Sequence, residues 1–280
     1  MIGRQEGVRP MTRLRALQEP GDKERVDRLR AGHAPAIACA LLLSIASAAP
    51  AAARCSDHAG PGVDWSKCDK MRLMMGGSDL SGGAFTQTFF SSTDLHGANF
   101  AGSDLTRAEL SNARLSEANL AGAVLQKATA SRTDFSGADL SNADLSGAEF
   151  SRSKFHRANL AGADFKNSEM NRSDFTEADL TGANMSKAEL ARVIFKDAVI
   201  QDVSFSFSNL SRADLIGTDI GNADLSGAYT FLTRLGGTDL SKAKGLTEDQ
   251  LAMACGSETT LLPAGMSAPP NWPCPDYDDD

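Results

Sequence analysis

The sequence is poor in the residue types that carry most enzyme chemistry. Aromatic residues make up 6% of its 280 residues. Between Leu80 and Leu240 there is no cysteine, and the two histidines, His96 and His156, are expected on the surface. No Gly-x-Gly-x-x-Gly motif opens a helix, and the serines lack a nearby His and Asp in a triad arrangement. The sequence therefore predicts that the protein is not an enzyme and needs no cofactor.

An excess of positive charge is also missing. The formal net charge is −8 at pH 7, and the region 75–245 alone carries −5. A surface of this sign repels phosphates, so we expect no direct binding to nucleic acid. The same charge is compatible with a soluble protein or with a surface that imitates nucleic acid.

What the chain does have is a strict period of five. Every fifth residue from Leu80 to Leu240 is large and apolar at 31 of 33 positions, the exceptions being Ala130 and Thr230. A small residue precedes nearly every one of these centres by two positions. A helix needs a period of 3.6 and a flat strand a period of 2, so neither fits. A short extended segment followed by a turn does fit, and a fixed period of this kind predicts a solenoid.

The blocks Ala138–Asn142 and Ala178–Gly182 show the pattern A-(D/N)-L-x-x, which resembles the pentapeptide-repeat family. The resemblance implies a right-handed, square-sided β-helix with four pentapeptides in each coil. The predicted fold class is thus an all-β solenoid, a right-handed quadrilateral β-helix of about eight coils at one strand spacing per coil, with a short C-terminal capping helix. The flanking stretches 61–68 and 245–256 resemble those of exported bacterial members.

Several residues recur every 20 positions, which supports a coil of that length. Phenylalanines recur at Phe135, Phe155, Phe175 and Phe195. Arginines recur at Arg132, Arg152, Arg172, Arg192 and Arg212. Glutamates recur at Glu149, Glu169 and Glu189. We expect the phenylalanines to form one inward stack and the arginines to line one corner.

The N-terminus has the layout of a targeting segment. Basic residues precede an apolar stretch, Ala34–Ala53, that ends in three alanines. This layout predicts a signal peptide cleaved near Ala53 and a periplasmic or secreted protein with no stable membrane embedding. The alternative is an uncleaved anchor, and the charged residues before the stretch leave open a translation start at Met11 or later.

Four cysteines lie outside the apolar stretch, two before the repeats and two after them: Cys55, Cys68, Cys255 and Cys274. An even count in an exported chain predicts disulfides. Three pairings can be drawn, and the length of the repeat region favours Cys55–Cys68 with Cys255–Cys274. No Cys-x-x-Cys spacing is present, so no metal site is predicted.

These features divide the chain into four segments. Residues 1–53 are the targeting or anchor segment, 54–74 an N-terminal cap, 75–245 the β-helix, and 246–280 a capping helix with an extended tail. Thr247 and Gln250 form a predicted capping box for a helix over 248–255, with Gly256 as its stop. Both caps would cover strand edges that otherwise promote aggregation.

The arginine column is the most specific surface feature. Five like charges roughly 5 Å apart repel unless they are neutralised. One interpretation is a ladder of ion pairs with Glu149, Glu169 and Glu189, helped by Asp134, Asp174 and Asp214. The other is a docking strip for an anionic polymer or an acidic partner.

Three classes of function follow. The favoured one is an exported, non-catalytic scaffold or protein-interaction surface with an unknown protein partner and with homodimerisation as an option. The alternative is a cytosolic mimic of nucleic acid that binds a topoisomerase, because pentapeptide-repeat proteins that protect gyrase resemble a duplex in shape and charge. An enzyme is the least favoured class.

Overall fold

The computed structural model describes residues 54–273, which all belong to the compact unit Ala48–Asp280. Parallel bridges join positions on successive coils, from Asp64–Ala84 through to Asp224–Lys244. Nearly every pentapeptide contributes one bridge, so each coil has four short sides. The predicted β-solenoid is confirmed, and its strands are single bridged positions separated by corners.

Each corner is a tight turn with a left-handed third residue. In the turn 135–138 the N–H of Ala138 donates to the carbonyl of Phe135 at 3.0 Å, and Gly137 has a φ of 67°. This is type II geometry, which favours glycine or asparagine at that position. Arginine often stands there instead, as at Arg152 with a φ of 62°. A left-handed backbone costs a non-glycine residue roughly 1–2 kcal/mol, so these corners depend on the stacking of coils.

The repeated aspartates have a structural role in the corners. Asp139 Oδ1 accepts the N–H of Ser141 at 3.0 Å, and Asp179 Oδ1 accepts that of Thr181 at 2.9 Å. An aspartate or asparagine side chain bonded two residues ahead in this way stabilises the start of a turn. Turn geometry therefore explains the aspartate columns.

The core lies inside the coils. All 33 central positions from Leu80 to Leu240 are buried, as the period of five predicts. The predicted inward stack of phenylalanines is also present: Phe155 stacks on Phe135 at 5.0 Å and on Phe175 at 4.7 Å, and Phe175 stacks on Phe195 at 5.6 Å between ring centroids. Fully burying each such ring is worth roughly 1.5–3 kcal/mol relative to exposure.

Buried hydroxyls replace alanine in some small positions. Ser153 Oγ donates to the carbonyl of Ala130 at 2.5 Å and accepts the N–H of Thr133 at 3.1 Å. Ser103 and Ser208 are buried too, but their hydroxyls have no hydrogen-bond partner among the described residues. The same residue type thus occurs inside the coils in satisfied and unsatisfied settings.

The bridges begin earlier than the predicted start of the β-helix at residue 75. The first is Asp64–Ala84, and Trp65 is 1% exposed at an inward position. Lys70 takes the next inward position at 8% exposure. A search for Leu or Phe at every fifth position does not detect these coils, because the inward positions hold tryptophan and lysine instead. Part of the segment 54–74 is therefore coil rather than a separate cap.

The described residues contain one helix, α1, Glu248–Met253. Its capping box is the predicted one: Thr247 accepts the N–H of Gln250, and the Gln250 side chain accepts that of Thr247 at 2.9 Å. The predicted end at 255 is wrong, because the helix stops at Met253. Ala254 is already extended, with φ −90° and ψ 170°, since the next residue enters a bridge with Arg234.

The chain beyond α1 returns to the coil pattern. Cys255 bridges to Arg234, and Leu261 bridges to Asp239. The separation in sequence between bridged residues is one position longer in the first of these pairs, and two positions longer in the second, than in the preceding coils. The segment after 262 was predicted to be extended, but it makes two turns, closed by hydrogen bonds from Met266 to Pro263 and from Trp272 to Pro269. Residues 274–280 of the predicted extended tail lie outside the described residues. Within 54–273, no helix has the length and apolar character needed to cross a bilayer.

Candidate functional site

The five arginines stand at equivalent corners of five successive coils. Each is the left-handed third residue of its turn, with φ between 56° and 62°. Four are exposed and Arg192 is half-buried. The bridged residues on both sides of the corner stack coil on coil, so neighbouring arginines are separated by about one strand spacing, roughly 4.8 Å. We call this set, Arg132, Arg152, Arg172, Arg192 and Arg212, the arginine column.

The predicted ion-pair ladder is not formed. Across residues 54–273, no arginine of the column makes an ion pair. Glu149, Glu169 and Glu189 bridge to one another on the preceding flat side, one coil above the next. A separation of three positions along the chain crosses the corner, so it does not place the two side chains in contact.

The aspartates on the next side are engaged elsewhere. Asp134 Oδ1 accepts the N–H of Ser136 at 3.0 Å, and Asp174 accepts that of Thr176 at 2.9 Å. Asp214 pairs with Arg234 at 3.0 Å. Asp134 and Asp174 bond forward, toward the following corner, and Asp214 bonds to the same side of the next coil. Within residues 54–273 the arginine column is consequently left without a carboxylate partner.

The ion pairs that do form join adjacent coils. Arg114 pairs with Asp94 at 3.5 Å, and Arg157 with Glu177 at 2.5 Å. In each pair the two residues are separated in sequence by one full turn of the coil. The hydrogen bond from Arg157 lowers the pKa of the Glu177 carboxyl, and Glu177 raises the pKa of Arg157.

The two histidines also lie on the outside. His156 Nε2 lies 3.7 Å from Glu177, and His96 Nε2 lies 3.7 Å from Glu117, with both rings more than one-third exposed. This agrees with their predicted surface placement. No cluster of His, Cys, Asp and Glu in the described chain could hold a metal ion.

An exposed aromatic pair lies at the C-terminal end of the arginine column. Tyr229 and Phe231 are 48% and 43% exposed, and their rings lie parallel with centroids 6.2 Å apart. The backbone N–H of Arg212 donates to the carbonyl of Phe231 at 2.9 Å, which joins the pair to the column. Sequence reasoning missed these residues. The signal was there, because positions 229 and 231 fall at outward places of the five-residue period.

Polar side chains line the other edge of the same corner. The residues just before the arginines are half-buried, and four of the five can hydrogen bond: Ser131, Ser151, Asn171 and Ser211. Asn171 Oδ1 accepts the N–H of Ala191 at 3.0 Å, so its amide nitrogen keeps its donors. The corner therefore combines cations, hydroxyls and, at one end, apolar rings.

The predicted Cys55–Cys68 disulfide is present, with the two Cα atoms 5.4 Å apart. Cys255 is also disulfide-bonded. Its predicted partner, Cys274, lies outside the described residues, so the pairing of Cys255 with Cys274 stays a prediction.

Comparison with protein families decides the identity of the repeat. The pentapeptide-repeat model of eight copies matches residues 75–112 and 108–147, and a pentapeptide-repeat region model matches 148–225. The chain belongs to the pentapeptide-repeat family. Members of this family adopt a right-handed quadrilateral β-helix, in agreement with the four-sided coils described above. The family comprises mainly structural and interaction proteins.

Several solved structures of the family are similar to this chain. HetL from the cyanobacterium Nostoc sp. Strain PCC 7120, a protein involved in heterocyst differentiation regulation, is 25% identical over 74% of this chain and 92% of its own, with a TM-score of 0.30. QnrB1, a plasmid-mediated fluoroquinolone resistance protein, is 17% identical over 70% and 89%, with a TM-score of 0.35. A thylakoid-lumen protein of Arabidopsis thaliana is 31% identical over 42% and 77%, with a TM-score of 0.28. No curated protein matches the chain.

Proposed function

We propose that this pentapeptide-repeat protein is exported and acts as a non-catalytic interaction scaffold. In this proposal residues 1–53 are a signal peptide cleaved near Ala53, and the mature chain works in the periplasm or outside the cell. The observation that carries the proposal is the pair of disulfide-bonded ends. Cys55–Cys68 lies at the N-terminal end of the coils and Cys255 near their C-terminal end, and such bonds persist in oxidising compartments.

The N-terminal disulfide supports the proposal because other contacts depend on the segment it holds. Lys70 Nζ donates to the carbonyl of Cys55 at 2.8 Å and lies 3.7 Å from the centroid of the Trp65 ring. Trp65 Nε1 donates to the carbonyl of Asp57 at 3.2 Å. Burial lowers the pKa of Lys70, while the Asp57 carboxylate opposes that shift. A reduced chain would lose the link that keeps Cys55 beside this cation.

At the other end, we propose that α1 closes a β-helix of about eight coils, one strand spacing each. Gln250 is 5% exposed, and its Nε2 donates to the carbonyls of Leu225 and Ala228 at 2.7 and 2.8 Å. Leu251 is fully buried. Side-chain donors on the last coil substitute for the next strand, and a closed end of this kind discourages edge-to-edge association.

Export is tested by intact-mass measurement of the protein from each cell fraction. The expected result is a mature species that begins near residue 54 in the exported fraction, with its thiols oxidised. A matched variant with the apolar stretch interrupted, Leu42→Asp, should be retained. Full-length protein with residues 1–53 in the cytosol of the unmodified strain would refute export and restore the topoisomerase-binding alternative.

A further inference from the structure

The arginine column is an unneutralised row of cations. Its five guanidinium groups make no ion pair within residues 54–273, and four of the residues are exposed. Neighbouring charges at roughly 4.8 Å repel one another. A row that keeps its charges unpaired is stabilised by an external anion that runs along it.

Carboxylates beside the arginine column restrict the width of that anion. The exposed glutamates Glu149, Glu169 and Glu189 stack on the preceding side, whereas on the following side Asp134, Asp174 and Asp214 alternate with Lys154 and Ile194. A duplex nucleic acid is wide enough to meet these carboxylates, and its phosphates repeat at about 3.4 Å per strand. A single narrow chain that follows one corner avoids them.

The spacing of the charges selects among narrow chains. An extended peptide places side chains of one face roughly 6.6 Å apart, since each residue advances about 3.3 Å. That step falls out of register with the arginines after one or two residues. In an extended 1,4-linked polysaccharide the acidic groups of successive sugar units alternate sides, and two units advance the chain by nearly two strand spacings, so the groups of one side stay in register with every second arginine.

The rest of the corner has the other groups that sugar recognition uses. The side chains of Ser131, Ser151 and Ser211 stand beside the arginines and can hydrogen bond to ring hydroxyls. Phe231 occupies the position that corresponds to Ser211 on the next coil, and the ring of Tyr229 stacks beside it. The C–H face of a pyranose packs on an aromatic ring through apolar contact, which explains exposed rings at the end of a polar strip.

We propose that the arginine column, with the Tyr229–Phe231 pair at its end, binds a linear polysaccharide that carries one carboxylate or sulfate per sugar unit. Guanidinium groups bind either acid in a planar, two-bond geometry. The proposal rests on the proposed export, because export brings the protein into contact with extracellular and envelope polysaccharides. The proposed function leaves the partner of this surface open, and an acidic polysaccharide is the class of ligand that we assign to it.

The test measures binding of the full oxidised chain to polygalacturonate at two salt concentrations. The variant carries Arg152→Gln, Arg172→Gln and Arg192→Gln. Glutamine suits the corner, since Gln87 already adopts a φ of 58° at an equivalent position. The matched control carries Arg107→Gln, Lys127→Gln and Lys187→Gln, which change the net charge equally. These three are exposed corner residues with a left-handed backbone. They stand at the corner before the side that carries Glu149, Glu169 and Glu189, whereas the arginine column stands at the corner after it.

We expect the column variant to bind polygalacturonate about tenfold or more weakly, through loss of charge-assisted bonds, and the control to bind within about twofold. Raising the salt concentration should weaken the unmodified protein more than the column variant. Methyl-esterified polygalacturonate, which has the same backbone without charge, should not compete. Equal losses in the column variant and the control would overturn the proposal, because net charge alone would then explain binding.

A second comparison separates a sugar ligand from an acidic peptide. Phe231→Ser should weaken polygalacturonate binding several-fold through loss of apolar contact, and leave polyglutamate binding unchanged. Polyglutamate binding that equals polygalacturonate binding, with no effect of Phe231→Ser, would overturn the polysaccharide assignment in favour of an acidic protein partner. Absence of polygalacturonate binding would also overturn it. Neither result bears on export, which the mass measurement tests independently.

Discussion

The inner phenylalanine column and the outer arginine column occupy the same coils but differ in what surrounds them. Phe155 contacts the rings above and below it at 5.0 and 4.7 Å. Arg152, three positions earlier, makes no ion pair in the described chain. Both columns repeat once per coil, so periodicity alone does not distinguish a stabilising contact from a free surface. What distinguishes the two columns is that the phenylalanines lie inside the coils and the arginines lie on their outer surface.

The largest expected effect comes from placing a charge in the inner column. Phe155→Asp removes a fully buried ring and buries an unpaired carboxylate, which we expect to cost more than about 4 kcal/mol and to unfold the central coils. Ser151→Ala, at an outward corner of the same coil, should change the free energy of unfolding by less than about 0.5 kcal/mol. Urea denaturation followed by circular dichroism gives both values. Similar midpoints for the two variants would contradict the inward assignment.

The next effect tests the C-terminal end. Gln250→Ala removes four hydrogen bonds, two from the N–H and hydroxyl of Thr247 and two to the carbonyls of Leu225 and Ala228. We expect a loss of about 2–3 kcal/mol, because the capping box is broken and the buried carbonyl of Ala228 loses its donor. The neighbouring Asp249→Ala is the control, since Asp249 is exposed. Thermal melts of both variants check the prediction, and faster amide exchange near Leu225 should accompany the loss.

The two kinds of buried serine sharpen the comparison within the core. Ser153→Ala removes the bond to Ala130 and one of the two acceptors of the Thr133 N–H, the other being the carbonyl of Ala130, so a loss of about 1–2 kcal/mol is expected. Ser103→Ala removes a buried hydroxyl that has no partner in the described chain, and should be neutral or stabilising. Chemical denaturation distinguishes them. An equal loss at both sites would show that Ser103 has a partner in solution.

The smallest effects belong to the outer surface. The triple change of Arg152, Arg172 and Arg192 to glutamine should leave thermal stability nearly unchanged at physiological salt, or raise it slightly at low salt, since it removes repulsion and breaks no ion pair. A clear decrease in stability would mean that the ion-pair ladder forms in solution. The same samples serve the polysaccharide assay.

The single change Arg157→Gln, in contrast, breaks a pair with Glu177. The pKa of Glu177 is lowered in the folded protein, so this pair contributes stability above the ordinary glutamate value of 4.5 and loses it as the pH falls below that value. Unmodified protein and variant should therefore differ slightly in melting temperature at pH 7 and converge under acid conditions. A difference that persists at low pH would assign the effect to packing of the arginine side chain.

Much of the fold could be predicted because the inward positions obey a simple rule. A residue must be large at the centre and small two positions earlier, and this rule revealed the period, the buried centres and the stack through Phe155. It failed where an unusual residue obeys the same geometry. Trp65 and Lys70 stand at inward positions, and Lys70 is accommodated because its amine reaches the carbonyl of Cys55 and lies over the Trp65 ring at the N-terminal end.

The outer surface was harder to predict because its contacts are made between coils. The expected pairs joined residues close together in sequence within one coil, whereas the observed ones join residues on successive coils, as in Arg157–Glu177 and His156–Glu177. Side-chain direction at a left-handed corner is not visible in a one-dimensional pattern. The aromatic pair Tyr229–Phe231 was missed because the search for a period followed the inward positions, and both rings stand at outward ones.

The change of bridge separation after α1 has a consequence for how this chain can be modified. Bridge partners keep a constant separation in sequence up to Asp224–Lys244, and the separation then grows by one position and by a second while the coils keep their alignment. Extra residues at a corner are thus absorbed locally, without shifting the side chains on the neighbouring sides. We expect the corner between Gly256 and Thr260 to accept an inserted peptide or reporter domain, whereas a single residue added within a buried block such as Ala138–Leu140 would put every following side chain out of register.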